Sequence, residues 1–210
     1  MGKKFSNTLK NKHVGIIDYG FGNVASVQNA LNFLNIKNTI INNPKKINKF
    51  SHFILPGDGF FPKAVEVIRK KKWDILLEDA IEDKKKILGI CVGMQLLLAY
   101  SYEGEGAKGL NFFNGTINKF LIKKNYSLPH VGFNFVKFRK SKLYEFDGYY
   151  YFIHSFRLKE IKEEKMSIGE TVYSEKFISY FEKDNIYGTQ FHPEKSGQKG
   201  LKFLKRFCLT

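Results

Sequence analysis

The chain carries only two cysteines, Cys91 and Cys208, among 210 residues. At most one disulfide could form, which excludes a small disulfide-stapled scaffold. No apolar run approaches the roughly 18 to 20 residues that a membrane-spanning helix requires. Residues Met1 to Lys12 are polar and basic and lack the apolar stretch of a secretory signal. These absences predict a cytoplasmic protein with no membrane association. Acidic residues are also scarce: 20 Asp and Glu stand against 35 Lys and Arg, a formal net charge of +15. Such a charge attracts polyanions and favours solubility. No zinc-finger spacing, basic zipper or RNP-type aromatic motif accompanies it, so no nucleic-acid partner is expected.

What is present suits a folded enzyme-sized domain. At 43% hydrophobic and 16% aromatic residues, the chain can bury enough surface to offset its ordering entropy. No repeat or long linker divides it. We read residues 1–12 as a basic N-terminal extension and 13–210 as a single domain.

Short apolar runs alternate with helical periodicity in the first half. Val14 to Asp18 reads as a buried strand, followed by the turn Tyr19-Gly20-Phe21-Gly22. Asn23 then caps a helix whose Val24, Val27, Leu31 and Leu34 form one apolar stripe. Thr39 to Ile41 and His52 to Leu55 are further strands. Ala64, Val65, Ile68, Trp73, Ile75, Leu76 and Ile81 predict two consecutive helices broken near the Lys cluster at 69–72. Ile87 to Ile90 is a fourth strand, and Met94 to Tyr100 is read as a compact helix. This alternation implies right-handed crossovers and a mostly parallel sheet flanked by helices, with ligands beyond the carboxyl ends of the strands. After Gly104 the pattern changes to strands and turns, at 116–120, 131–138, 149–153, 171–173, 177–182 and 186–191, before a last helix from about Gly197 to Phe207. The predicted fold is therefore α/β, with added antiparallel strands in the second half.

Gly89-Ile90-Cys91-Val92-Gly93 has the form G-x-C-x-G between a strand and a helix. A nucleophile on so sharp a turn needs neighbours without Cβ, and the following helix N-terminus offers unpaired N–H groups that favour thiolate and a developing oxyanion. A thiol between glycines also serves as a plain structural residue, so the reading requires a base. His192 supplies one at the carboxyl end of the strand 186–191, where a parallel neighbour brings it to the turn. Glu194, two residues on, can orient and charge-stabilise its imidazole. No metal and no cofactor are expected.

Six segments in order carry a family resemblance: Asp18 to Asn23, Leu55-Pro56-Gly57-Asp58-Gly59, Gly89 to Gln95, Pro129 to Asn134, Tyr151 to Phe156 and Gly188 to Ser196. In these the sequence resembles the class I, triad-type glutamine amidotransferases, whose fold is flavodoxin-like. Among them it is similar to the glutaminase subunits of imidazole glycerol phosphate synthase. The resemblance implies L-glutamine as substrate, with Cys91 as nucleophile, His192 as acid and base, and Glu194 as the orienting acid. It implies backbone oxyanion donors at Val92 and the Gly57-Asp58 segment. Gln95, Glu103, Ser155 and Phe156 match substrate-contacting positions. Read alone, Gln95 is a solvated helix residue, Glu103 a loop carboxylate and the Gly57 segment a tight turn. The resemblance further implies a heterodimer with a (β/α)8-barrel cyclase subunit, with Asn23, Tyr151 and Lys195 at the contact.

Four positions depart from the family pattern: Asp58 for Val, Val92 for Leu, Phe133 for Trp and Phe156 for Tyr. An inward-facing Asp58 carboxylate would oppose thiolate and oxyanion and keep basal activity low until a partner rearranges the loop. Two other functions fit parts of the sequence. One is a paralogous glutaminase that feeds ammonia to amination of a surface-polysaccharide or nucleotide-linked sugar. The other is a non-catalytic binding module.

Overall fold

The computed structural model describes residues 12–44, 49–139 and 144–210; nearly all of the basic extension read at 1–12 lies outside them. Four strands are buried on both faces or nearly so, and a fifth, β2, is the half-buried edge: β1 (Val14–Ile17), β2 (Asn38–Ile41), β3 (His52–Gly57), β4 (Lys86–Cys91) and β13 (Ile186–Thr189). Continuous apolar strands of this kind suit a parallel sheet covered on both sides. They pair in parallel in the order β2-β1-β3-β4-β13. This is the doubly wound 2-1-3-4-5 order, with the chain's last strand in fifth place.

Helices α1 (Val24–Phe33), α2 (Phe61–Lys70), α3 (Trp73–Glu82), α4 (Val92–Leu96) and α5 (Gly197–Leu209) cover it. α1 packs with α5, and α2 packs with both α3 and α4. Asn23 caps α1, its side-chain oxygen accepting from the Ser26 N–H at 3.0 Å. The break between α2 and α3 falls in the Lys cluster, where Lys72 takes φ +61°. Ile75, read as part of the apolar stripe, is instead half exposed. Cys208 is fully buried on α5.

The remaining strands are β5 (Leu98–Ser101), β6 (Ala107–Lys108), β7 (Phe113–Lys119), β8 (His130–Arg139), β9 (Gly148–His154), β10 (Phe156–Ile161), β11 (Ser167–Tyr173) and β12 (Glu175–Lys183). Beyond β13 the sheet continues as β12-β10-β7-β5-β6, and β11, β8 and β9 extend it from β12. These additions are antiparallel apart from the parallel pair β5 and β7.

The sequence reading lacks strands β6 and β10 and assigns one element differently. The helix read at Met94 to Tyr100 starts at Val92, ends at Leu96, and gives way to β5. The run Leu96-Leu97-Leu98 satisfies helical and extended burial equally. The loop 110–113 decides between them, since its N–H groups bond the carbonyls of Leu96, Leu97 and Leu98 and leave none to continue the helix.

The β8–β9 pair is amphipathic across its two faces. Cross-strand pairs Val131 with Ile153, Phe133 with Tyr151 and Phe135 with Tyr149 lie on one face. All six except half-buried Tyr151 are exposed. His130 with His154 and Asn134 with Tyr150 occupy the other.

The parallel strands meet at their carboxyl ends through glycine contacts. A Cβ on Gly93 would overlap the Leu55 carbonyl oxygen, and one on Gly89 would sit 2.6 Å from the Gly93 oxygen. β3, β4 and α4 therefore cross at backbone contact. Gly93→Ala is expected to destabilise the fold by about 3 kcal/mol, the upper range of overpacking, measured by chemical denaturation.

Candidate functional site

Cys91 ends β4 with φ +55° and ψ −112°, a strained conformation for a residue with a side chain. The glycine contacts at 89 and 93 hold it there. α4 begins at the next residue. With five residues it contributes the unpaired N–H groups of its first turn more than a summed dipole.

His192 follows β13, which runs parallel to β4 with Thr189 opposite Ile90. Its backbone is held from two sides. The His192 N–H donates to the Tyr151 carbonyl at 2.9 Å, and the His192 carbonyl accepts from the Ser196 hydroxyl at 2.6 Å. The His192 Nδ1 atom donates to Glu194 Oε1 at 2.8 Å, both side chains being buried. The opposite nitrogen, Nε2, has no hydrogen-bond partner of good geometry. It faces a sulfur near enough to shift its titration. Burial pushes the imidazole down, but the Cys91 charge and contact, together with Glu194, outweigh it and raise it to about 10.

A cavity of about 190 Å³ opens beside the sulfur, of a size for one small amino acid. Cys91, Val92, Gln95, Glu103 and His192 line it, as do Asp58, Ser155, Phe156 and Lys195. Gly57 lies behind this wall, packed on Gly93 and the Tyr19 hydroxyl, and Glu194 lies behind His192. Asn23 and Tyr151 stand outside the lining; Asn23 is engaged as a helix cap and Tyr151 as the anchor of the His192 backbone.

Glu103 accepts from the Phe61 N–H at 2.9 Å at the start of α2, and burial raises its carboxyl above the ordinary range. Asp58 is exposed, and its Oδ1 accepts from the Gly22 N–H at 3.0 Å. The carboxylate is thus committed to the neighbouring glycine turn rather than turned freely onto the sulfur. Tyr19 below it is raised by burial and by the charges of Asp58 and Cys91, and its buried hydroxyl lacks a partner.

Three polar residues of this region carried no role in the sequence reading. Gln190, fully buried, donates from Nε2 to Cys91 Sγ at 3.6 Å. His130 and His154 are hydrogen-bonded to each other at 3.1 Å, and His154 Nδ1 donates to the Phe156 carbonyl at 2.7 Å. Burial pushes these imidazoles down to about 4 and about 3 respectively, so both are neutral. The sequence signals for Gln190 were its place in the resemblance segment Gly188 to Ser196, which assigned it no role, and an amide inside the apolar strand that leads to His192.

Among the described residues no cluster of His, Cys, Asp and Glu is arranged to hold a metal ion. None of their helices is long and apolar enough to cross a membrane.

A cysteine on a strained strand-to-helix turn, a histidine paired to glutamate on the neighbouring strand end and a solvent-accessible cavity beside them define a thiol hydrolase or transferase site. Comparison with known proteins agrees with that geometry. The model of the family "Glutamine amidotransferase class-I" matches residues 15–210, and the chain belongs to this family. Within it, the chain is 40% identical to imidazole glycerol phosphate synthase subunit HisH 2 of Methanococcus maripaludis, covering 92% of this chain and 98% of that one. It is likewise 40% identical to subunit HisH of Caldanaerobacter subterraneus, covering 92% and 96%. It is thus a member of the HisH-type subunits. Among solved structures, a glutamine amidotransferase superposes with a TM-score of 0.74 at 14% identity, over 93% of this chain and 98% of that one. PurLQS from Thermotoga maritima gives 0.72 at 17% identity, over 94% and 97%. These two likenesses concern the fold.

The raised His192 has a measurable sign. An imidazole held above its unfolded value of 6.5 stabilises the fold fully below that pH and loses the contribution as pH rises towards 10. Nitrogen-15 NMR should find His192 protonated at pH 8 in the wild type. In Cys91→Ala, which removes the largest raising influence, its midpoint should fall.

Proposed function

We propose that this chain hydrolyses L-glutamine to glutamate and ammonia and passes the ammonia to a (β/α)8-barrel cyclase subunit in histidine biosynthesis. The observation that carries the reading is the meeting of Cys91, His192 and Glu194 at one edge of the parallel sheet beside an amino-acid-sized cavity. The naming of its relatives as subunits of imidazole glycerol phosphate synthase supports the pathway.

In this mechanism the Cys91 thiolate attacks the side-chain carboxamide carbon. The oxygen takes on negative charge and is met by backbone N–H groups of Val92 and the Gly57-Asp58 segment. His192 gives its proton to the departing nitrogen as the C–N bond breaks, releasing ammonia and leaving a glutamyl thioester. The neutral imidazole then takes a proton from water, whose oxygen attacks the thioester and frees glutamate. Glu194 holds the Nδ1–H tautomer throughout. Glu103 receives the substrate's α-ammonium group, while Gln95 and the backbone of Ser155 and Phe156 complete the pocket.

The partner closes over the exposed face of β8 and β9. Phe133, Phe135 and Tyr149 supply an apolar surface of the kind that marks an interaction site. Tyr151 lies on this face and Lys195 is exposed at the rim of the cavity; with Asn23, at the start of α1, they would contribute to the contact. The cyclase would use the ammonia to convert a phosphoribulosyl-formimino-carboxamide nucleotide into imidazole glycerol phosphate and aminoimidazole carboxamide ribotide.

Cys91→Ala should abolish glutamate formation from glutamine, and Glu194→Gln should lower kcat by about 10²- to 10⁴-fold. Adding the cyclase with its nucleotide should accelerate the wild type; equal rates with and without it would refute gating by the partner. Complementation of a histidine auxotroph separates this reading from a glutaminase that serves sugar amination.

A further inference from the structure

Gln190 lies one residue beyond Thr189, whose partner across the β13–β4 ladder is Ile90, so it stands level with Cys91. It is fully buried at the end of an apolar strand. The surrounding acceptors fix which way its amide faces. The Phe156 carbonyl can only accept, so the Gln95 atom 3.4 Å from it is the amide nitrogen, Nε2. That same Nε2 lies 2.9 Å from Gln190, which must therefore present its oxygen, Oε1. Gln190 Nε2 is then the atom that meets Cys91 Sγ at 3.6 Å. His154, neutral and donating from Nδ1 to the Phe156 carbonyl, holds the first member of this series in place.

Two consequences follow at opposite ends. The sulfur has a separate partner for each of its protonation states. As a thiol it donates to the Ile153 carbonyl at 3.9 Å, and as a thiolate it accepts from Gln190. Hydrogen bonds to ionised acceptors are about twice as strong as neutral ones, so the second arrangement favours the charged sulfur. At the other end, both partners that Gln95 contacts take its nitrogen, which leaves Oε1 as its uncommitted atom on a side chain that lines the cavity.

We propose that Gln190 is a further catalytic residue of this site. Its amide N–H holds the Cys91 sulfur as thiolate, and its carbonyl orients Gln95 so that Gln95 Oε1 accepts from the NH2 of a substrate carboxamide. The second role rests on the glutaminase reading above. It also gives a basis for selectivity: glutamate would set a carboxylate oxygen against Gln95 Oε1, two acceptors facing each other in a buried cavity.

The test uses the whole chain with two substitutions. Gln190→Glu keeps an oxygen for Gln95 and removes the donor to sulfur. Gln190→Met removes both. Iodoacetamide alkylation of Cys91 is followed across about pH 5 to 9 and read by peptide mass spectrometry, so that Cys208 does not contribute. We expect alkylation near neutral pH to slow about tenfold in both variants, with the half-maximal pH displaced upward. KM for glutamine should rise in Gln190→Met and stay near wild type in Gln190→Glu. A profile for folded Gln190→Glu that superimposes on wild type overturns the sulfur role; should that variant fail to fold, Gln190→Met decides by the same criterion. An unchanged KM in Gln190→Met overturns the orienting role. Alkylation requires no glutamine. A displaced profile in a protein whose wild type leaves glutamine intact even with the cyclase and its nucleotide present therefore overturns the glutaminase reading and the orienting role, and supports the sulfur role.

Discussion

The backbone of Cys91 is the constraint on which the site depends. Its φ of +55° is costly for any residue with a Cβ, and it persists because β3, β4 and α4 press together at glycine contacts. Gly57, Gly89 and Gly93 have no room for a methyl group. Close packing of backbone on backbone leaves the turn no cheaper conformation, and the sulfur is lifted off the sheet as a result. The strain at Cys91 is thus maintained by ordinary steric exclusion in the strands below, and chemistry at the rim is tied to packing in the interior.

A second layer of order comes from hydrogen bonds whose direction is forced. The Asn134 backbone neighbour, Phe135 N–H, donates to Asn134 Oδ1, so Nδ2 is left to donate to His130 Nε2 at 3.3 Å. His130 then donates from Nδ1 to His154 Nε2, and His154 donates from Nδ1 to the Phe156 carbonyl. Each neutral imidazole has one tautomer that satisfies both neighbours. The wall of the cavity at Phe156 is therefore set by groups on the inner face of β8 and β9, and the outer face of the same strands carries the exposed aromatic residues. His192 joins this unit through the Tyr151 carbonyl.

Much of this was legible in the residues and some was not, for reasons that differ by position. The Cys91 turn could be read because a strained nucleophile needs glycines at fixed offsets, a strictly local requirement. His192 could be placed because a strand end followed by proline is likewise local, and the parallel pairing of β13 with β4 then brings it across. The end of α4 could not, since leucines at 96–98 suit either conformation and hydrogen bonds from the loop 110–113 choose between them. Gln190 was silent because an amide has meaning only through its partners. One of these, Gln95, lies 95 residues away in the chain, and no periodicity records such a meeting. Asp58 could be named as a departure from the family pattern, but its commitment to the Gly22 N–H depends on two turns that only the fold brings together.

The directed series through Asn134, His130 and His154 also bears on how this protein can change over generations. Replacing one member alone reverses or deletes a donor and leaves its buried neighbour orphaned, at a cost of roughly 1 to 3 kcal/mol. Exchanging His130 and His154 together for apolar groups of matching shape costs far less, since half-buried Asn134 can turn to water and the Phe156 carbonyl keeps Gln95 Nε2. Drift in this part of the interior is thus channelled into paired replacements, and lineages that depart here should do so two residues at a time.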